Sequence, residues 1–516
     1  MPPVSPYAPV PAADPGSTLP IGWQYGAMYE VFVRAFQDSD GDGIGDLQGL
    51  IARLDYLKDL DITGLWLMPV MASQDHDHGY AVTDYRNVEA QYGTMADLDE
   101  LIAAAHARGM GIILDYVMNH SAAQHPAFIN ARLNTESEFR TWYLWADPKP
   151  EGWSIYGGDP WHADPTGFYF GAFWDQMPDW NLKNPDVVAW HHDNLRFWLN
   201  RGIDGFRFDA VGNLIENSPG EYVNQRESYA LVAGLEALID TYQNRYMVCE
   251  APADPLGFAN THPGGSAFAF GHQHDLIAAA RGDTRALELV AGFPPVAPAS
   301  IATLLSNHDA FAGARVFDQL GGDQEMMKLA AAMYLLQPGV PFVYYGEEVG
   351  MAGGQGMSAD VSLRTPMSWT HDAGHPDFTP GTPFRDASPN ANWSNVSSLR
   401  ADPDSLYHFY KAMIGLRNTR PSIARGSYEG VVLNGTTLGF VRRLGNDETV
   451  IAINVGHQPA RIDMVGLSPG AHYDALYPSS WQPLIIDQAG AQNIVLREQS
   501  IAVFGRFINA AAGASS

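Results

Sequence analysis

Gly205-Phe206-Arg207-Phe208-Asp209 is an apolar run closed by a carboxylate. Met247-Val248-Cys249-Glu250 and Leu305-Ser306-Asn307-His308-Asp309 have the same design. Each reads as a short buried strand that delivers an acid at its C-terminal end. Alternate side chains of a strand share a face, so Arg207 and Asp209 point the same way. If the three strands are parallel members of one closed barrel, their acids converge on one mouth.

Working outward, eight runs of this kind stand along the chain: Met28–Val33, Gly64–Val70, Gly111–Val117, Gly205–Val211, Tyr246–Ala251, Ala267–Gly271, Ile301–His308 and Pro341–Gly346. They are apolar on both faces and often bounded by Gly or Pro, as parallel strands covered by helices are. Helical periodicity fills Leu47–Leu60, Met95–Arg108, Pro185–Arg201 and Ser228–Gln243 between them. The alternation predicts a (β/α)8 TIM barrel over residues 21–118 and 186–425. The stretch from 119 to 185 is too long for a plain loop and predicts an inserted domain B after the third strand. Thr437–Arg443 and Thr449–Asn454 flank the turn signal Gly445-Asn446-Asp447. With Ile494–Leu496 and Ser500–Phe504 they predict a C-terminal antiparallel β-sandwich domain over 426–512. Residues 1–20, rich in Pro and Ala, read as a loose leader, and Ala510–Ser516 as a frayed tail.

The chain has 516 residues, enough for two or three domains. Its 58 acidic and 30 basic residues give a net charge of −28, which argues against nucleic acid and against an anionic membrane surface as partners. The acidity favours solubility, and the protein is expected to be a monomer. Cys249 is the only cysteine, so no intrachain disulfide forms, and it reads as an inert core thiol. No apolar run reaches membrane-spanning length. The first basic residue is Arg34, so the N-terminus lacks the pattern of a secretory signal. As it stands the sequence predicts a cytoplasmic protein, or a secreted or periplasmic one if a signal has been removed.

The strand-end acids can be read in two ways each. Arg207 favours the ionised form of Asp209, which suits a nucleophile toward an anomeric carbon, or the two form a plain ion pair tying strand to loop. Glu250 follows an apolar run that would raise its pKa, as a general acid requires, or it is a solvated strand-end residue. His308 and Asp309 either bind sugar hydroxyls or serve as a structural histidine and a capping acid. His120, in Asp115-Tyr116-Val117-Met118-Asn119-His120, is a further candidate donor to a sugar hydroxyl. In Asp77-His78-Gly79-Tyr80, Tyr80 offers a flat platform for a sugar ring, while His78 reads as a surface residue.

Asp38-Ser39-Asp40-Gly41-Asp42-Gly43-Ile44-Gly45-Asp46 sets carboxylates at nearly every second position between glycines. Such a loop wraps a hard cation in oxygen ligands, here Asp38, Asp40, Asp42, the carbonyl of Ile44 and Asp46, and favours Ca2+ over Mg2+. Its acids would repel a phosphate, so the glycine spacing does not mark a phosphate loop. Asn119 with Asp179 is a second candidate calcium site.

Taken in order, "DYVMNH", "GFRFDA", "CE" and "SNHD" resemble the signature regions of the α-amylase family of glycoside hydrolases, as do Met177–Asn181 and Phe342–Glu348. The resemblance runs from Tyr29 into the C-terminal domain. It implies a retaining mechanism with Asp209 as nucleophile, Glu250 as acid/base and Asp309 as the third carboxylate. Tyr80, His120, Arg207 and His308 would hold the sugar that is attacked. Asp77 stands where exo-acting relatives grip a terminal glucose, whereas Ala81 departs from the Asp often found after the tyrosine. Arg364–Trp369 and Asp402–Tyr407 look most like branches between oligo-1,6-glucosidases and α-amylases. The expected activity is hydrolysis of α-1,4-glucosidic bonds in starch, maltodextrins or maltooligosaccharides. The alternatives are an exo-acting α-glucosidase or transglucosylase on maltose or sucrose and, remotely, an inactive carbohydrate-binding member.

Overall fold

The structure, a computed structural model, describes residues 7–261, 266–371 and 377–507. The tail Ala510–Ser516, expected to fray, lies outside the described residues. Eight short strands carry the architecture: β1 (Met28–Val31), β2 (Gly64–Leu67), β3 (Gly111–Tyr116), β4 (Gly205–Phe208), β5 (Tyr246–Cys249), β6 (Ser266–Ala267), β7 (Ala302–Thr303) and β8 (Val340–Tyr344). They form one sheet in the order β6-β5-β4-β3-β2-β1-β8-β7, the sequential order of a (β/α)8 barrel. The ladders β3–β4, β4–β5, β5–β6, β1–β8 and β7–β8 are parallel.

The strands stop before their apolar runs do. In β4 the ladder ends at Phe208, and in β5 at Cys249. One more bond on each side, Asp209 N to the Tyr116 carbonyl at 3.2 Å and Glu250 N to the Phe208 carbonyl at 2.9 Å, fixes the first residue beyond each strand. Gly205 sets the start of β4 at φ +156°, and a Cβ there would lie 1.7 Å from the Tyr246 carbonyl. Only glycine permits that approach of β4 to β5.

The described residues pack as two compact units: one of segments up to Ile21, Ile44–Ala52 and Leu65–Phe268, the other of Gly22–Gly43, Arg53–Gly64 and Ala269 onward. The first carries the segment inserted after β3. There the helix Pro126–Leu133 precedes a three-stranded antiparallel sheet of Trp145–Ala146, Gly167–Phe170 and Trp161–Asp164. The leader is held where composition predicts looseness. Tyr7 packs 5.0 Å from the ring of Phe139 and 6.3 Å from that of Trp190. The Ala8 carbonyl accepts from Arg86 at 2.8 Å, Val10 N donates to Asp193 at 3.0 Å, and the Gly16 carbonyl accepts from Arg245 at 2.9 Å. A Pro-rich extended backbone forms no ladder of its own, and so leaves its polar groups for the side chains of neighbouring elements.

A cluster of aromatic rings also lies in this unit. His125 and His191 sit within 6 Å of Trp190 and of Trp180, and the hydroxyl of Tyr116 pairs with His191 Nδ1 at 2.8 Å. His125 Nδ1 accepts from Ala127 N at 3.2 Å, capping the helix Pro126–Leu133, and can do so only while unprotonated. Burial pulls His125 down to about 3 and His191 well below its ordinary value.

In the second unit the C-terminal chain forms a six-stranded sheet ordered Glu429–Asn434, Thr437–Leu444, Asp447–Asn454, Ser500–Phe507, His472–Tyr477, Leu484–Ile485. A two-stranded sheet of Ala460–Met464 and Gln492–Leu496 completes the domain. Val441, Val450, Ile462, Met464, Leu496 and Phe504 form their common core. Two buried arginines bind the end of the helix Gln324–Leu336, whose last carbonyls have no partner within the helix. Arg417 donates to the Leu335 carbonyl at 2.8 Å, and Arg442 to that of Leu336 at 2.9 Å. Burial pulls both guanidinium groups down to about 9. Glu347 is buried between the hydroxyls of Tyr334 at 2.8 Å and Tyr410 at 2.7 Å, and burial pushes it up to about 8. Among the described residues no helix is long and apolar enough to cross a membrane.

These groups bound the pH range of the fold. A histidine whose pKa is depressed by folding contributes its full stability above the unfolded value, and that contribution is lost as pH falls through the folded value. For His125 the loss runs from about pH 6.5 to about 3 and reaches about 3 kcal/mol by pH 4. Glu347 has the opposite sign: its raised pKa contributes below the unfolded value near 4.5 and is lost as pH climbs to about 8. The melting temperature is expected to fall on both sides of a maximum near neutrality, and His125→Gln is expected to flatten the acid limb. A thermal scan from pH 4 to 9 that leaves the two limbs of the wild type and H125Q superimposed overturns this assignment.

Candidate active site

Arg207 organises the first unit's acids. It lies fully buried on β4, between β3 and β5. Its NH1 donates to Asp115 Oδ1 at 2.8 Å and Asp209 Oδ1 at 2.6 Å, and its NH2 to Glu250 Oε2 at 2.5 Å. Burial opposes the charge, but Asp115 and then Tyr80, Glu250 and Asp209 hold the guanidinium protonated well above its usual range. Asp115 Oδ2 in turn accepts from the Tyr80 hydroxyl at 2.9 Å and from Trp66 Nε1 at 3.2 Å. Charge-assisted bonds of this kind fix geometry as well as ionisation.

Asp209 and Glu250 meet directly, joined by a hydrogen bond between their side chains. Two carboxyl groups bond to each other only by sharing a proton, so the pair carries one negative charge between them. Burial is the larger influence on Asp209 and pushes it up from the ordinary carboxylate range, while Arg207 pulls the other way. The expectation that Arg207 alone would favour the ionised form is therefore incomplete. Glu250 Oε2 also accepts from Ala210 N at 3.1 Å, where Ala210 adopts φ +46° just after Asp209. A non-glycine residue in that region carries strain, and the turn it makes ties the loop after β4 to the acid after β5.

In the second unit His308 is buried with carboxylates at both ring nitrogens. Glu30 Oε1 lies 2.6 Å from Nδ1 and Asp309 Oδ2 3.1 Å from Nε2. Burial works against protonation, yet Asp309 and Glu30 push the imidazole up to about 10, so His308 is a cation at neutral pH. Arg364 NH2 donates to Asp309 Oδ1 at 3.0 Å and Arg364 Nε to the His308 carbonyl at 3.0 Å.

Tyr80, Asp77 and His78 lie on a loop knitted by Asp75. Asp75 Oδ1 accepts from Asp77 N at 2.8 Å and Gly79 N at 3.0 Å, and Oδ2 from Ala81 N at 3.0 Å. His78 Nδ1 accepts from Tyr80 N at 3.0 Å, which gives it a local structural role. His120 is buried, and burial pulls it down to about 4, so it stays neutral.

In the acidic loop, carboxylate oxygens of Asp38, Asp40 and Asp42 lie within 4.8 Å of one another, a group that could hold a metal ion. Asp38 anchors the loop: Oδ1 accepts from Asp40 N at 2.9 Å and Gly41 N at 2.7 Å, and Oδ2 from Gly43 N at 2.8 Å and Thr379 Oγ1. Gly43 has φ +93°, and a Cβ there would lie 2.0 Å from the Thr382 carbonyl. Asp46 accepts from Gly49 N at 2.7 Å and so caps the helix Leu47–Asp59. Asp46 and Ile44 belong to the first unit and the three grouped acids to the second. Near the inserted segment, Asn119 Oδ1 and Asp179 Oδ2 are buried without a hydrogen-bond partner, and burial pushes Asp179 up to about 8.

Of the residues singled out by sequence, Arg207, Asp209 and Glu250 are brought together, with Tyr80 joined through Asp115, and His308 is joined to Asp309. Sequence reasoning missed Asp115, Glu30 and Arg364 as members of these networks. Their signal was present in two cases, since Glu30 and Asp115 are charged residues inside strands that are otherwise apolar and fully buried. Arg364 lies on irregular backbone just after the short helix Ala359–Leu363 and carries no such signal.

The catalytic-domain model of the α-amylase family matches residues 30–426. The chain is 33% identical over 442 residues to α-amylase 3 of Dictyoglomus thermophilum, an alignment covering 84% of this chain and 85% of that protein. It is 29% identical over 523 residues to an oligo-1,6-glucosidase of Parageobacillus thermoglucosidasius, covering 84% and 90%. The crystal structure of an α-amylase from H. orenii superposes with a TM-score of 0.81 at 31% identity, covering 94% of this chain and 99% of that one. With the barrel, the inserted segment and the buried acids in agreement with that match, the chain belongs to the α-amylase family of glycoside hydrolases.

Proposed function

We infer that the enzyme hydrolyses α-1,4-glucosidic bonds in starch, maltodextrins or maltooligosaccharides with retention of configuration. The observation that carries this reading is the direct hydrogen bond between Asp209 and Glu250 on the shared guanidinium of Arg207. Inverting enzymes keep their two acids roughly 6.5–9.5 Å apart to admit a water, whereas retaining enzymes hold them close. A bonded pair leaves no such space.

In this reading Glu250 keeps the shared proton when substrate enters and gives it to the glycosidic oxygen. Asp209, freed as a carboxylate, attacks the anomeric carbon and forms a glucosyl ester, and the leaving sugar departs with the proton. Glu250, now ionised, takes a proton from water as the water attacks the ester, and Asp209 is released. Arg207 keeps Asp209 oriented, and His308 with Asp309 serve as a charged group that binds sugar hydroxyls. Asp77, Tyr80 and His120 complete the binding of the glucosyl unit. An exo-acting α-glucosidase is the second reading, favoured by Asp77 and by the likeness to an oligo-1,6-glucosidase.

Asp209→Asn is expected to lower kcat/KM on maltotriose by about 10^4 with the melting temperature nearly unchanged. Glu250→Gln is expected to lose maltotriose cleavage but to retain reaction with α-glucosyl fluoride, whose leaving group needs no proton. Persistent cleavage by D209N would remove Asp209 from the nucleophile's role. Separating the early products from amylose tests the mode of action, with mixed oligosaccharides expected and glucose alone pointing to the exo reading.

Ca2+ is the group that fits Asp38, Asp40 and Asp42, because three close carboxylates on a flexible loop supply hard oxygen ligands and are otherwise mutually repulsive. The unpartnered oxygens of Asn119 and Asp179 suit a second hard cation. Such ions would clamp loops and take no part in bond cleavage. A chelator is expected to lower the melting temperature and added Ca2+, not Mg2+, to restore it, whereas an unchanged melt removes calcium from the account.

A further inference from the structure

Two aromatic rings stand open to solvent beside the acid pair. Tyr156 is 72% exposed and Phe173 41%, and their rings stack at 5.6 Å with an interplanar angle of 28°. The ring of Phe173 lies 5.4 Å from that of buried His120. Large apolar groups left exposed as a fixed pair mark a surface that meets something else.

Tyr156 is fixed with some strain. Its φ of +50° is a left-handed conformation that disfavours a bulky side chain. Its hydroxyl donates to Asn213 Oδ1 at 3.3 Å. Asn213 ends the short 3-10 helix Val211–Asn213 that follows Asp209 directly. The start of that helix is bound to Glu250, with Ala210 N on Oε2 at 3.1 Å and Val211 N on the Glu250 carbonyl at 3.0 Å. The platform is therefore tied to the acid that protonates the leaving oxygen. Burial of the hydroxyl end, with the charge of Glu250 adding to it, pushes the phenol up from its ordinary value.

We propose that Tyr156 and Phe173 form a shelf on which the sugar ring of the leaving group stacks, across the scissile bond from the glucosyl unit transferred to Asp209. This rests on the assignment of Asp209 and Glu250 given above. The occupant is an α-linked glucosyl residue, whose C–H face suits an aromatic ring and whose hydroxyls stay in water. The same shelf holds an acceptor sugar in the second half-reaction. The acceptor hydroxyl then attacks the anomeric carbon of the glucosyl ester, Glu250 takes its proton, and the Asp209 carboxylate departs. Occupancy of the shelf thus sets the partition between transfer and hydrolysis.

Two substrates isolate this step. Maltotriose places a sugar on the shelf, and α-glucosyl fluoride, which leaves as fluoride, does not. Tyr156→Ala is expected to lower kcat/KM on maltotriose by about tenfold and to suppress transfer products at high maltotriose. Its hydrolysis of α-glucosyl fluoride is expected to stay within about twofold of the wild type, as is that of Tyr156→Phe on both substrates. Equal losses on the two substrates would move the rings to the glucosyl pocket or to the fold, and an unchanged maltotriose reaction would leave the shelf without a sugar; either result overturns the proposal. Inactivity of the wild type on α-glucosyl fluoride, or activity retained by D209N, would instead sink the proposed chemistry and is read independently of Tyr156.

Discussion

A buried guanidinium surrounded by carboxylates is the constraint on which the first unit's acids depend. Arg207 has no exposure, and three acids, Asp115, Asp209 and Glu250, bind it. Removing such a charge from water costs several kcal/mol, and only well-placed counter-charges offset it. The acids thus hold the arginine in the barrel, and the arginine sets the positions of the acids. Any departure of one partner leaves an uncompensated charge in a dry place. The network is costly as a source of stability and effective as a means of fixing geometry.

The second unit solves a similar problem with a histidine. His308 is a cation at neutral pH because Glu30 and Asp309 flank it, with Arg364 added on the far side of Asp309. Both networks place a fixed positive group behind each functional carboxylate. A transition state with oxocarbenium character meets those carboxylates as negative charge already oriented, with little reorganisation needed as the reaction proceeds. The backing cations limit how strongly the site repels its own acids while it is empty.

Much of this was legible in the chain because the barrel's demands are local. Each strand is an apolar run, and its functional residue sits where the run ends, so Asp209 and Glu250 were findable from position alone. The ends of the strands were less legible: the runs Gly205–Val211 and Ile301–His308 continue beyond the last ladder bond, since residues lining the mouth are also shielded from water. Asp115, Glu30 and Arg364 were harder because their roles come from partners distant in sequence. The leader misled for a different reason. Proline-rich composition signals the absence of a ladder, and says nothing of side chains elsewhere that bind an extended backbone.

The arginines that bind the end of the helix Gln324–Leu336 have a consequence for how the molecule comes apart. Arg442 belongs to the C-terminal sheet, yet its guanidinium is seated on the carbonyl of Leu336. Arg417, from the helix Leu406–Thr419, binds the neighbouring carbonyl of Leu335. Excising the sheet would strip a buried carbonyl of its donor, so the C-terminal domain is no detachable module and its loss would propagate into the helix layer. Cooperativity between them is written into two hydrogen bonds, and the second unit should melt as one calorimetric event.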